Sequence, residues 1–162
     1  MPSLVVIFGR DRGRHFDLPR GEKIVLGRGS HLNNRLLDPS ISRKHLEVVH
    51  LAHNSKCMVL DLESRNGARI NDKRLFHSRE LSDGDVIQIG YTLLVFVRIT
   101  FEAETDVKTF LEDCEQRYET YLQRLRDHAA RHADKDDHGY GSAGSMSGTL
   151  HLGNLFGKLK GQ

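Results

Sequence analysis

The sequence predicts an all-β domain, an antiparallel sandwich or barrel, followed by one long helix and a tail. Up to about residue 101, short apolar runs alternate with a period of two, and no helical pattern separates them. From residue 103 to about residue 135, glycine and proline are absent and the apolar period becomes helical. The chain therefore divides into residues 1–101, 102–137 and 138–162.

The first segment is predicted from its strands and turns. Turn-forming separators such as GRDRG, SRNG and SDGD interrupt the apolar runs. In the last run, Leu94 and Phe96 would share one face of the sheet, and Leu93, Val95, Val97, Ile99 and Phe101 the other. The eight candidate strands are residues 3–8, 14–18, 23–27, 44–50, 57–62, 68–70, 85–90 and 91–101.

The second segment, residues 102–137, is predicted to be an amphipathic helix. The acids Glu102, Glu104 and Asp106 stand at its start, where the helix dipole favours negative charge. An apolar seam with spacings of 4, 3, 4, 3 and 4 follows, formed by Val107, Leu111, Cys114, Tyr118, Tyr121 and Leu125. This seam predicts either a homodimeric coiled coil through residues 105–128 or packing against the chain's own sandwich.

The third segment, residues 138–162, is rich in glycine and serine and is predicted to be a flexible tail. It contains Thr149, which a kinase would have to modify before the first domain could bind its own tail. Just before it, His128 and His132 are four residues apart and have acids nearby, but nothing fixes a coordination geometry. We predict no metal site and no cofactor.

Charge and cysteine content narrow the class of protein. Residues 1–100 carry 16 Lys and Arg against 11 Asp and Glu, whereas residues 101–138 carry 6 against 11. A mildly basic domain joined to an acidic helix suggests a local anionic ligand rather than coating of nucleic acid. Cys57 and Cys114 lack metal spacing and are expected to be buried thiols. With no signal peptide or membrane span apparent, we expect a soluble cytoplasmic protein.

Three loops carry complementary polar groups. They contain Gly27-Arg28, Ser42-Arg43-Lys44-His45 and Ser64-Arg65-Asn66-Gly67. Because the connections of a sandwich cluster at its two ends, alternate loops can converge on one ligand. Arginine grips two phosphate oxygens with its planar fork, and serine adds a hydroxyl donor. Phosphate is therefore the anion that fits, and the Asn66 carboxamide suits a peptide backbone.

These motifs closely resemble the forkhead-associated (FHA) domain over about residues 4–101. LGR, SISRKH, SRNGARIN and LSDGDVIQIG occur in the family's order, and steps of 14, 3, 21 and 1 residues join Arg28, Ser42, His45, Asn66 and Gly67. The resemblance implies an antiparallel β-sandwich of about eleven strands. It also implies a module that binds phosphothreonine peptides without modifying them, as an adaptor in Ser/Thr-kinase signalling.

The resemblance assigns expected roles to individual residues. Arg28 and Ser42 would ligate the phosphate, with Arg43 and Arg65 beside it, and Asn66 would bond the peptide main chain just after the phosphothreonine. Gly27, His45 and Gly67 would support the loops. His31, Asn33 and Asn34 are candidates for contacts with flanking peptide residues. Two positions depart from the family pattern, Ala68 for a hydroxyl residue and Asp72 for a glycine.

Three other functions compete with this prediction. An FHA-like scaffold could work through its helix without phosphate. Catalysis is disfavoured, because Ser42 and His45 lack a paired acid and common nucleotide, zinc and hydrolase motifs are absent. Nucleic-acid binding is disfavoured too, because no recognition motif accompanies the basic charge.

Overall fold

The computed structural model describes residues 1–133, without the side chains of residues 120, 121, 124, 128, 129 and 131–133. The predictions for the tail at 138–162, for Thr149 and for the pair His128 and His132 lie outside what it describes. Within the described part, no helix is long and apolar enough to cross a bilayer. No group of three or more His, Cys, Asp or Glu residues there is arranged to hold a metal ion.

Eleven strands precede one helix in the described residues. The strands are β1 (Ser3–Phe8), β2 (His15–Asp17), β3 (Lys23–Gly27), β4 (Asn34–Arg35), β5 (Leu46–His50), β6 (Cys57–Asp61), β7 (Ala68–Ile70), β8 (Lys73–Arg74), β9 (Arg79–Glu80), β10 (Val86–Ile89) and β11 (Thr92–Val97). The helix α1 runs from Glu104 to Ala133.

The strands form two sheets, which confirms the predicted β-sandwich. The six-stranded sheet has the order β2-β1-β11-β10-β7-β8, and the five-stranded sheet has the order β4-β3-β5-β6-β9. Strand β4 pairs parallel with β3, whereas the other pairings described are antiparallel. The prediction missed β4, β8 and β9, because two residues are too few to show a period of two.

The predicted final strand was too long. Strand β11 ends at Val97, because the backbone N–H of Arg98 donates to the Asp83 carboxylate at 2.7 Å instead of continuing the ladder. Ile99 is consequently exposed rather than placed on the predicted apolar face, although Phe101 is buried. The helix likewise begins at Glu104, two residues after the predicted start.

Alternation along β1 and β11 divides the apolar side chains between two clusters. Leu4, Val6, Leu94 and Phe96 join the core between the two sheets, and their neighbours in sequence face the other side of the six-stranded sheet. The second cluster contains Val5, Ile7, Val86, Leu93, Val95, Val97, Phe101, Val107, Leu111, Cys114 and Leu122. This confirms the predicted faces of the last strand up to Val97.

The helix seam covers the outer face of the six-stranded sheet. Val107, Leu111 and Cys114 are buried in the second cluster, so packing on the chain's own sandwich is the alternative that the structure adopts. The side chains of these three residues therefore already have apolar partners within the chain, and the homodimer through residues 105–128 stays a prediction. Tyr118 has φ −113° and ψ 16°, and the resulting kink interrupts the regular helix.

Two further contacts hold the helix, one to the β1–β2 turn and one to the segment that precedes the helix. The Arg12 guanidinium in the β1–β2 turn bonds the Glu115 carboxylate at 2.6 Å, and Phe101 meets Phe110 edge to face at 5.6 Å. Both cysteines are buried and free, as expected. Burial raises the pKa of the Cys114 thiol to about 11, so this group packs as a neutral side chain.

Candidate functional site

The three predicted loops meet at one end of the sandwich and are bonded to one another around Ser42. The backbone N–H of Arg28 donates to the Ser42 carbonyl at 3.0 Å. The backbone N–H of Arg65 donates to the Ser42 hydroxyl oxygen at 3.0 Å. The Asn66 carboxamide N–H donates to the Ser40 carbonyl at 2.8 Å. Residues 28, 42 and 66 therefore belong to one continuous surface.

Gly27 allows the first two loops to approach each other. A Cβ atom at this position would lie only 2.2 Å from the Arg43 carbonyl oxygen and 2.9 Å from that of Ser42. The neighbouring N–H of Gly29 donates to the same Arg43 carbonyl at 3.1 Å. A glycine is therefore needed at position 27 because a side chain there would collide with the backbone of the second loop.

His45 joins the second loop to the third from beneath. It is fully buried, and its Nδ1 accepts a hydrogen bond from the backbone N–H of Ser42 at 3.0 Å. Nδ1 therefore carries no proton, and Nε2 donates to the Gly67 carbonyl at 3.0 Å. Burial lowers the pKa of His45, although the Gly67 carbonyl and the Asp61 carboxylate partly oppose this effect. The neutral imidazole thus connects the second and third loops through two hydrogen bonds.

The third loop is closed by the Asp61 carboxylate. It accepts from the backbone N–H of Ser64 at 2.7 Å and from the Ser64 hydroxyl at 2.8 Å. The Ser64 hydroxyl oxygen in turn accepts from the N–H of Gly67 at 2.9 Å. Gly67 has φ +73°, a conformation that glycine adopts without strain.

The surface formed by these loops is cationic. Arg28, Arg43, Lys44 and Arg65 are exposed, and in residues 1–133 none of them forms an ion pair. Ser42 accepts a bond through its hydroxyl oxygen, and within the described chain its O–H donates to no group. The connected loops therefore carry four exposed cationic side chains and one hydroxyl proton that has no acceptor within the described residues. This arrangement can bind a phosphate and needs no metal to do so.

Sequence reasoning missed the role of Asp38, which supports the second loop. This buried carboxylate accepts from the Ser40 backbone N–H at 2.9 Å, the Tyr91 N–H at 2.7 Å and the Thr92 hydroxyl at 3.0 Å. Because the Ser40 carbonyl holds Asn66, Asp38 anchors the contact between two loops. The sequence DPS, in which Asp bonds the N–H two residues later, was the available signal.

The candidate flank residues lie in and beside β4. His31 and Asn33 are exposed in the loop that leads to this strand, and the His31 ring lies 2.9 Å from the Cβ position of Gly29. Asn34 belongs to β4 itself and stands opposite Leu26 of β3. His31 therefore lies near the loops that contain Arg28 and Arg43, whereas Asn34 is part of the five-stranded sheet.

The fold and the loop motifs define the class to which the chain belongs. Residues 6–90 match the FHA domain, so the protein is a member of the forkhead-associated domain family. This confirms the resemblance to the FHA domain that the loop motifs indicated.

Among curated proteins, the chain is 35% identical to FHA domain-containing protein FhaA of Mycobacterium tuberculosis over 83 residues. The match covers 51% of this chain and 15% of that protein. The chain thus spans only a small part of this relative's length.

Solved FHA domains have the same fold. The FHA domain of the CT664 protein from Chlamydia trachomatis has a TM-score of 0.57 and 28% identity, and the match covers 61% of this chain and 98% of that one. An FHA domain studied for phosphothreonine-dependent interactions has a TM-score of 0.53 and 29% identity, and that match covers 62% and 98%.

Proposed function

We propose that this protein is a phosphothreonine-peptide recognition module that acts without catalysis as an adaptor in Ser/Thr-kinase signalling. The observation that carries the proposal is that the loops bearing Arg28, Arg43 and Arg65 are hydrogen-bonded to one another around Ser42, while these arginines form no ion pair in the described residues. The similar FHA domain studied for phosphothreonine-dependent interactions supports this choice of ligand. The two free cysteines suit a reducing compartment, and we place the protein in the cytoplasm.

In this proposal, the residues divide between phosphate and peptide. Arg28 and Ser42 bind the phosphate oxygens, while Arg43 and Arg65 add charge-assisted contacts at its edges. The Asn66 carboxamide binds the peptide main chain after the phosphothreonine. Its N–H already bonds the Ser40 carbonyl at 2.8 Å, which fixes the plane of the amide and leaves its oxygen as the acceptor.

The contacts of His45 favour binding over catalysis. A serine nucleophile needs its hydroxyl bonded to a general base. Here Nδ1 of His45 is occupied by the backbone N–H of Ser42, and Nε2 donates to a carbonyl. The imidazole therefore has no free nitrogen with which to take the Ser42 proton.

The alternative of a scaffold that works through its helix receives less support. Such a scaffold would use the apolar seam of α1 to hold a partner, but Val107, Leu111 and Cys114 are buried against the chain's own sheet. The cationic surface, in contrast, remains exposed. We therefore favour phosphate-dependent binding.

The proposal is tested by titrating a phosphothreonine peptide library and its unphosphorylated counterpart into wild type, Arg28→Ala and Asn66→Ala. Each charge-assisted hydrogen bond contributes about 1.5–3 kcal/mol, so Arg28→Ala should weaken binding about tenfold or more. The matched control is Arg20→Ala, which removes an exposed arginine that bonds the Ala52 carbonyl beside the β5–β6 turn, at the opposite end of β5. Equal affinity of wild type for phosphorylated and plain peptides would refute the proposal.

A further inference from the structure

A second cationic group adjoins the third loop and has no role in the binding proposed above. The guanidinium of Arg74, on strand β8, lies directly over Gly67. A Cβ atom at Gly67 would be 2.8 Å from Nη2 of Arg74 and 3.0 Å from its Cζ. The arginine therefore packs on the backbone of the same loop that presents Asn66.

Arg74 carries a charge that its surroundings do not neutralise. It stands opposite Arg69 in the β7–β8 ladder, so two like charges project from the same face of the sheet. The Asp72 carboxylate interacts electrostatically with Arg69, whose guanidinium donates to the Asp72 carbonyl at 3.1 Å. Arg74 forms no ion pair with any residue in the described chain. An added anion would relieve this repulsion.

An exposed aromatic side chain completes the feature. The ring of Phe76 is 75% exposed, the most exposed large apolar residue of the described part. The Arg74 guanidinium carbon lies 5.8 Å from the centre of this ring, within the range of a cation–π contact. Phe76 thus restricts the guanidinium and offers an apolar surface to the stem of a bound side chain.

We propose that Arg74 and Phe76 form a subsite for a carboxylate side chain on the C-terminal side of the phosphothreonine in the bound peptide. This inference rests on the proposed function and specifies the peptide that the site prefers. The third loop supplies the direction, because Arg65 bonds Ser42 at one end and Gly67 lies under Arg74 at the other, with Asn66 between them. A peptide that passes from Ser42 over Asn66 continues toward Arg74.

The chemistry selects a carboxylate. The guanidinium fork matches the two oxygens of Asp or Glu, and within the described residues no acidic side chain forms an ion pair with Arg74. Because the subsite is exposed, the gain is modest, and we expect about two- to fivefold tighter binding. The preference should also weaken as salt screens the pair.

The test uses phosphothreonine peptides that carry Glu, or neutral Gln, at one position at a time on either side of the phosphothreonine. The proteins are wild type, Arg74→Ala and Lys73→Ala, all in the full chain. Lys73 is the matched control, because it is an exposed cation of the same strand that points to the opposite face. Thermal unfolding of each variant verifies that the fold is retained.

We expect wild type and Lys73→Ala to bind a peptide with Glu on the C-terminal side of the phosphothreonine about two- to fivefold tighter than the peptide with Gln at the same position. Arg74→Ala should remove this ratio and leave the affinity for Gln peptides unchanged. The subsite is overturned if the Glu-to-Gln affinity ratio persists in Arg74→Ala, or if it falls equally in Lys73→Ala. It is also overturned if the ratio occurs only when Glu lies on the N-terminal side of the phosphothreonine. In each of these cases phosphate-dependent binding itself stands. A wild type that binds no phosphopeptide overturns both.

Discussion

At the level of single residues, we expect the buried His45 to make the stability of the domain depend on pH. Its pKa in the folded state is lowered by burial, whereas in the unfolded chain it is about 6.5. Below about pH 6.5 the unfolded chain therefore binds the proton more readily, and the free energy of unfolding falls as pH decreases toward the folded-state pKa. Protonation at Nδ1 would also break the bond from the Ser42 N–H.

We expect this dependence in thermal unfolding without peptide between about pH 7 and 5.5. His45→Asn should be less stable near neutral pH and should show a smaller slope. Measuring without peptide separates the effect from the phosphate itself, whose second pKa of about 6 also weakens binding in acid. Identical slopes for wild type and variant would exclude His45 as the origin.

The turn between β7 and β8 contains a residue, Asp72, that we expect to lower the stability of the domain. Asp72 has φ +67°, and its Oδ2 is buried without a hydrogen-bond partner in the described chain. Burial raises the pKa of this carboxyl. Asp72→Gly removes both the backbone strain and the desolvated carboxylate, so it should stabilise the domain by about 1 kcal/mol in urea unfolding.

Asn71 is the matched control for this turn, because it has φ +48° but uses its side chain. Its carboxamide donates to Asp85 at 2.7 Å and accepts from the N–H of Val86 at 2.9 Å. Asn71→Gly should therefore lower the unfolding free energy by about 1 kcal/mol or more. Loss of stability in Asp72→Gly would show that its carboxylate has a favourable role.

At the scale of elements, Asp38 positions the loop that holds Asn66. In Asp38→Asn, an amide N–H₂ replaces an oxygen that faces the donors of Ser40, Tyr91 and Thr92. We expect a loss of about 1–3 kcal/mol in stability and weaker phosphopeptide binding below the unfolding transition. Unchanged affinity of the folded variant would mean that Asn66 is held independently of Asp38.

Helix α1 should contribute to the stability of the domain through its buried side chains. Leu111 is buried against the outer face of the six-stranded sheet, so Leu111→Ala should cost about 2–5 kcal/mol of unfolding free energy. Lys108→Ala, an exposed change on the same helix, should alter it by less than about 0.5 kcal/mol. A small effect at Leu111 would argue that α1 does not pack stably on the sheet.

The elements also show what sequence patterns can and cannot predict. Strands β1 and β11 were predictable because each is a run of apolar residues, and their burial on both faces explains why those runs are continuous. The two-residue strand β4 has no such signal. Among site residues, Arg28 and Asn66 stand in recognisable motifs. Asp38 and Arg74 act through loops distant in sequence, and only the folded chain brings these partners together.

At the scale of the whole molecule, the two-layer sandwich and the helix form one unit. The outer face of the six-stranded sheet is apolar, with Val5, Ile7, Leu93, Val95 and Val97 in contact with the helix cluster. A chain cut after residue 101 would expose this face to water, so we expect it to unfold at lower temperature and to associate. The sequence analysis predicted these residues, 1–101, to be a separate domain.

Light scattering over a range of protein concentrations measures this association. It compares the full chain with the chain cut after residue 101. The truncated chain should gain mass with concentration, whereas the full chain should not associate through Val107, Leu111 and Cys114, because they are already buried. Concentration-dependent dimers of the full chain that Leu111→Ala dissolves would contradict this, since the seam would then serve a second copy. If the truncated chain were monomeric and as stable as the full chain, the sandwich would not need the helix to cover the apolar outer face of its six-stranded sheet.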